Sequence, residues 1–378
     1  MQQSLLGTTL QQITALVMVG AVRTASDAVR WVSEARRAAT NDLLVQLTNQ
    51  PSIGRVLLAT PELTGLVVPA GTEHLQTPVE APHMGQYLAE LVAQEKIERL
   101  LYFGGGSAPL LSDEQLSEIC QWLMAADEGV ITNNRYATDW AGVVPARRII
   151  NHIDRLPRDN MLGWVLSDEG GMPARALRPA ASTRLDIDTP LELVVLQSHS
   201  ETKAHLRACL EPLPLPREQF GKILRLLRTP ATRWIVSGRL APGPWQRLNQ
   251  VTQCWFRVLS EERGMVSSGR QARGEAYSFL AEHLEAVGSE RFWETLANQA
   301  DGLLIDTRVM LAHHNSWPPE TDRFASDLLQ PAAISDPWLH KFTKDAVASG
   351  IPLILSGHSL MSGALYAICD LLEGDGKI

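Results

Sequence analysis

Residues Ile13 to Val22 read ITALVMVGAV, a run whose only polar side chain is Thr14. A segment apolar at successive positions has no face to offer to water, which is the pattern of a strand covered on both sides of a parallel sheet. Working outward, Ser26 or Asp27 can cap a helix that continues to about Asn49. Strand-like runs recur at Arg55 to Ala59, Gly65 to Pro69, Arg99 to Phe103 and Gly129 to Thr132. Helices are expected from Met84 to Glu95 and, capped by Asp113, through Ala125. Strands that alternate with helices predict a mostly parallel α/β sheet.

The alternation starts afresh in the second half. WIVS (Trp234 to Ser237), CWFRVL (Cys254 to Leu259), GLLI (Gly302 to Ile305) and PLIL (Pro352 to Leu355) read as strands. Helices fit Arg217 to Leu227, Gly269 to Ala286, Arg291 to Asn298, Asp336 to Ser349 and Ser359 to Leu372. Between the halves, helical signals fade from Met161 to Leu196, and Pro212, Pro214 and Pro216 then stand at alternate positions. Proline at that spacing blocks a regular helix. The predicted organisation is therefore a domain over 1–205, a Pro-rich linker over 206–216 and a second α/β domain over 217–378.

A chain of 378 residues suits two such cores, and 45% hydrophobic with 20% charged residues is a globular mix. The net charge is −8 with no block of Lys or Arg, which argues against a nucleic-acid partner. Met1 to Thr14 lacks the basic-then-apolar pattern of a signal peptide, and no apolar run approaches the ~20 residues of a membrane span. Cys120, Cys209, Cys254 and Cys369 lie far apart without metal-ligand spacing and read as thiols in a reducing cytoplasm. His313 and His314 are adjacent, so their side chains are expected to diverge.

LDIDTPLEL (Leu185 to Leu193) resembles the closing motif of nucleotidyltransferases with a GT-A-like (Rossmann-like) fold, and GSAPLL (Gly106 to Leu111) is similar to their strand-end G-D-x-P-L-L. The nearest kin are molybdenum cofactor guanylyltransferase and 2-phospho-lactate guanylyltransferase, over roughly residues 13 to 196. The resemblance implies a nucleotide or phosphorylated small molecule as partner and Mg²⁺ as cofactor. Asp188, with Asp186 beside it, matches the position that helps hold the metal. Gly20, Arg23 and the run Gly104, Gly105, Gly106 and Ser107 would contact phosphates, and Asn133 and Asn134 would face the base or ribose.

Two departures bear on the chemistry. The family's first loop is rich in glycine and carries Arg and then Lys, whereas VGAVRT offers Gly20 and Arg23 alone, with no lysine before Lys96. Ser107 stands where the family has a metal-binding aspartate. A hydroxyl brings no negative charge to a hard dication, so transfer that depends on neutralising phosphate charge is weakened. The bland alternatives are a tight turn for the glycines, helix N-capping for Asp188, and turn formation for the asparagines.

In the second half the expected strand ends carry charge: Arg239; Glu261, Glu262 and Arg263; Asp306 and Arg308; His358 and Ser359. Arg270, in a segment expected to open a helix, adds another cation. If the four strands are parallel neighbours, these tips meet at one edge, where α/β sheets bind ligands, and arginine forks suit phosphate or carboxylate. Ser359 is expected to cap the last helix, and Arg323 with Asp327 to form a surface pair. Three functions stay open: nucleotidyl transfer or nucleotide binding by the first domain; a silent relic whose second domain binds a small molecule or a protein; and an enzyme using Glu261, Glu262, Asp306 and His358 as acid–base groups.

Overall fold

The computed structural model describes residues 12–80 and 82–374; most of the stretch weighed as a signal peptide lies outside them. Contacts divide the chain into two units, one of 12–21, 40–105 and 111–178 and one of 22–39, 106–110 and 179–374.

The first unit holds a seven-stranded sheet in the order β3-β2-β1-β4-β6-β5-β7. Its strands are β1 (Ile13–Met18), β2 (Ile53–Thr60), β3 (Thr72–Gln76), β4 (Leu100–Gly104), β5 (Gly129–Thr132), β6 (Trp140–Val144) and β7 (Ala174–Ala176). β1 is buried almost throughout and pairs in parallel with β2 and β4, so that Leu16 stands opposite Leu57 on one side and Tyr102 on the other. Only β6 runs against its neighbours. The mostly parallel α/β sheet expected from the alternation is what forms.

Two local expectations fail here. Gly65 to Pro69 is no strand: Gly65 turns with φ +69°, and Asn41 takes the backbone groups that a neighbouring strand would have taken, donating to Gly65 O at 3.2 Å and accepting from Val67 N at 2.9 Å. The edge strand is β3, too exposed to show an apolar run. Of the helices α1 (Asp27–Asn49), α2 (Met84–Gln94) and α3 (Asp113–Ala125), the last is capped by Ser112, not Asp113, through a capping box with Gln115. Ser26 caps α1, its Oγ accepting from Val29 N at 3.3 Å.

In the second unit, β8 (Arg233–Gly238), β9 (Trp255–Ser260), β10 (Gly302–Asp306) and β11 (Leu353–Ser356) form an all-parallel sheet in the order β11-β10-β8-β9. Successive side chains point to opposite faces. Trp234, Val236, Leu304 and Ile354 enter one core, while Ile235, Leu303, Ile305, Leu353 and Leu355 enter the other. The second core is filled by Phe292, Trp293 and Phe342. β9 lies at the edge, with Trp255 67% exposed.

The first of these cores explains why the proline-rich stretch does not mark the border. It contains α4 (Pro190–Ser198), a helix inside a stretch expected to lack one, together with Leu210 and Leu215, which flank Pro212 and Pro214, and α5 (Arg217–Arg228). The chain's last helix, α6 (Gly363–Glu373), packs here so closely that a Cβ on Gly363 would stand 2.2 Å from Arg184 O. The 1–205 and 217–378 split therefore differs from the division that packing makes: the DTPLEL segment folds with the second sheet.

Two further helical expectations are corrected. Gly269 to Ala286 is helical only over Phe279–Val287, capped by Ser278; Gly264, Gly269 and Gly274 at φ +71°, +71° and +66° keep the preceding residues in turns. Ser359 does not cap the last helix, which begins at Gly363 after a short 3-10 turn, His358–Met361. All four cysteines are free thiols, with Cys120 and Cys369 buried. Among the described residues no helix is long and apolar enough to cross a membrane.

Candidate ligand site at the strand ends of the second unit

In the first unit the candidate residues serve the loops that carry them. Gly105 packs on the end of β1, where a Cβ would meet Met18 O at 3.0 Å, and Gly104 N donates to Asp139 O at 3.1 Å. Gly20 has open space where a side chain would begin. Asn133 is buried and locked to Asp139: its Nδ2 donates to Asp139 Oδ2 at 2.6 Å, while its Oδ1 accepts from Asp139 N at 3.1 Å. Asn134 Oδ1 accepts from Tyr136 N at 3.2 Å, a turn-forming contact.

The second unit brings the remaining motif residues together. Ser107 faces Asp186 in an isolated antiparallel bridge, flanked by backbone bonds from Ala108 N to Leu185 O at 3.1 Å and from Ile187 N to Gly106 O at 3.3 Å. Asp188 is ion-paired: Arg36 of α1 donates to its Oδ1 at 2.6 Å and to Ile187 O at 2.5 Å. Arg23 is paired with Glu320, at 2.7 Å. Thr189 caps α4, and its Oγ1 lies 2.9 Å from Ser356 Oγ at the end of β11. That contact joins the DTPLEL segment to the carboxyl edge of the four-stranded sheet.

The strand tips meet at that edge as expected, but mostly as ion pairs. Arg239 after β8 donates to both oxygens of Asp306 at the end of β10, at 2.6 and 3.0 Å. Arg308 donates to both oxygens of Asp327, at 2.9 and 2.6 Å, and both side chains are almost wholly buried. Asp327 therefore does not pair with Arg323 at the surface; Arg323 lies over the Trp317 ring, 4.8 Å from its centroid. Glu261 accepts from Ser278 Oγ at 2.9 Å, and Glu262 accepts from Arg270 at 2.5 Å. Arg270 thus stands in a turn with a carboxylate partner, not at a helix start beside free N–H groups. The carboxylates considered as acid–base groups are all engaged. His313 and His314 do not diverge fully, since both approach Glu285, at 3.7 and 2.8 Å.

Arg263 is exposed and has no ion pair among the described residues, yet lies near enough to His358 to disfavour its protonation. Burial, then Arg239, holds the His358 imidazole down at about 4, so it is neutral at pH 7. His358 Nδ1 and the Oγ of the buried Ser359 have no hydrogen-bond partner among the described residues. Glu192 is wholly buried; its Oε2 accepts from Asp188 N at 3.1 Å, Thr189 N at 2.5 Å and Thr189 Oγ1 at 2.9 Å, while Oε1 has no hydrogen-bond partner among the described residues. Burial, then the Asp188 charge, pushes this carboxyl up to about 8. Glu192 was readable as the fourth member of a T-x-x-E capping box. Arg36 gave no local signal, being one arginine in the middle of a long helix.

The donor set does not fit the magnesium ion that the motif implies. Asp188 is taken by Arg36, Asp186 Oδ1 accepts from Ile187 N at 3.0 Å, and position 107 offers a hydroxyl. Among the described residues no three His, Cys, Asp or Glu side chains are grouped to hold a metal. A hard dication needs several oxygens free to converge on it.

The fold and the rim together define an α/β protein with a polar strand-end site. No protein-family model matches the chain, and no curated protein does. Among solved structures it is similar to a cytidylyltransferase from Leptospira borgpetersenii, at 14% identity over 53% of this chain and 92% of that one, TM-score 0.37. It is also similar to CMP:2-keto-3-deoxy-manno-octonic acid synthetase solved with CTP, at 11% identity over 44% and 88%, TM-score 0.30. A Mycobacterium tuberculosis protein solved with manganese gives 16% identity over 44% and 87%, TM-score 0.28. Likeness this distant decides nothing about activity.

Proposed function

We propose that the chain is a nucleotidyltransferase-like protein whose second unit binds a nucleotide or another phosphorylated small molecule, without magnesium-assisted nucleotidyl transfer. The observation that carries this reading is the 2.9 Å contact of Thr189 with Ser356, which makes one rim of the motif segment and the four strand ends. Asp188, Asp306 and Asp327 along that rim are matched by Arg36, Arg239 and Arg308. The surplus is cationic or donor-bearing: Arg263, Ser359 and the neutral His358. Such a surplus favours an anionic group over a cation, and arginine is suited to phosphate oxygens.

The test is thermal melting of the full chain with CTP, GTP, UDP-glucose and glucose 6-phosphate, each in Mg²⁺ and in EDTA. A ligand that binds only the native state raises the melting temperature. At least one probe is expected to do so equally in both buffers, and Arg263→Ala, whose own melting temperature stays near wild type, is expected to abolish the shift. Shifts seen only in Mg²⁺, or none with any probe, would overturn the reading.

A further inference from the structure

Arg36 has a place made for it. Gly106 sits at φ +91°, and a Cβ there would come within 2.6 Å of Arg36 Cγ, so the aliphatic stem of the arginine crosses the backbone at a position where a side chain would obstruct it. Beyond that crossing the guanidinium divides its donors: Nε goes to Ile187 O at 2.5 Å and a terminal nitrogen to Asp188 Oδ1 at 2.6 Å. One contact fixes the backbone just before the acid and the other neutralises the acid itself. Asp186 and Glu320 add their fields at the same guanidinium. The arginine remains 27% exposed and the aspartate 55%, so the pair borders solvent and a soluble ion can reach it.

We infer that Arg36 is a built-in cation standing where the motif would otherwise gather a divalent metal, and that it makes the Asp188 position selective against Mg²⁺ and Mn²⁺. A guanidinium is always charged and delivers its charge through directional N–H donors. A divalent ion needs oxygen ligands at roughly 2.0–2.1 Å in a near-octahedral shell. It can form that shell at Asp188 only by displacing Arg36 from the carboxylate. The exchange of a dication for a guanidinium lowers the local charge by one and removes the Lewis acid. Gly106 and Arg36 then form a matched set, the glycine admitting the arginine.

The inference deepens the functional reading above, because it gives the reason that the rim works without magnesium. Its probe is Mn²⁺ alone, with no organic ligand, so the two can fail separately. Mn²⁺ binding to the full chain is followed by electron paramagnetic resonance and by melting temperature in wild type, Asp188→Asn, Arg36→Met and Arg36→Lys. Wild type and Arg36→Lys are expected to bind no more tightly than Asp188→Asn. Arg36→Met is expected to gain at least about tenfold in Mn²⁺ affinity, and to lose the gain when Asp188→Asn is added. Wild-type binding that Asp188→Asn removes would overturn the inference whether or not the arginine variants fold. So would a folded Arg36→Met, judged by circular dichroism, with no gain.

Discussion

At the strand ends of the first unit the Asn133 amide clasps Asp139 and Gly105 lies against the end of β1, with one half-exposed ion pair, Arg135 on Asp168, beside them. At the strand ends of the second unit the fastening is ionic, with Arg239 on Asp306, Arg308 on Asp327 and Arg36 on Asp188. The two kinds of closure have different consequences. An amide held by several hydrogen bonds within its own loop has little left to offer a ligand. Paired ions at the border of solvent can be re-paired when another ion arrives, and an imbalance among them selects the sign of that ion. The buried pairs hold the frame, while the half-exposed Arg36 with Asp188 and the unpaired Arg263 face what comes.

Breaking the frame gives the largest expected effect. Arg308→Ala leaves the Asp327 carboxylate buried without its counter-ion, and removal of one partner of a buried pair costs about 3–5 kcal/mol. Arg308→Met with Asp327→Leu removes both charges at similar volume and is expected to recover most of that loss. Urea denaturation of Arg308→Met, Asp327→Leu and the double measures the coupling. A single-variant loss below ~1 kcal/mol would mean that ions do not tighten this rim.

The matching test on the first unit is Asn133→Ala, which strips partners from Asp139 and from the β5 end. A buried group left unsatisfied costs about 1–3 kcal/mol, smaller than the loss at Arg308. Any ligand-induced melting shift should persist in this variant. Loss of that shift, with the fold intact, would make the amide a ligand contact and blur the contrast between the units.

Legibility in the sequence follows the same line. β1, β8, β10 and β11 were evident because burial on both faces leaves an uninterrupted apolar run. β3 and the true character of β9 were not, since edge strands show mixed side chains that local composition cannot separate from loops. The convergence of Arg239, Asp306, Arg308 and His358 could be read, because parallel neighbours must end on the same side. Which acid each arginine would choose could not: Asp327 lies four residues from Arg323 on one helix, yet pairs with Arg308 from another. Arg36 and the placement of α4 depend on tertiary approach alone, for which prolines 212 to 216 gave a misleading border.

The finest contrast is in protonation. Glu192 is ordinarily a carboxyl near 4.5 and is raised to about 8 in the folded chain, by burial and then by Asp188. Between those values the folded state holds a proton that the unfolded state has released, so stability is fully present below about 4.5 and is lost as pH rises through about 8. His358 works the other way: its folded value is near 4 against 6.5 unfolded, so its contribution is present above 6.5 and is lost as pH falls through 4. The opposing slopes offset one another where the windows overlap, and above 6.5 Glu192 acts alone. Glu192→Gln keeps an oxygen to accept from Asp188 N, Thr189 N and Thr189 Oγ1 and cannot ionise. Its stability is expected to match wild type only near pH 4.5 and to gain a further ~2 kcal/mol on it between pH 6 and pH 8, since a full proton difference is worth ~1.4 kcal/mol per pH unit. Denaturation midpoints across pH 6 to 9 measure the divergence. Parallel profiles would mean that Glu192 is already ionised in the folded rim and adds to its negative side, which would weaken the case that the site favours an anion.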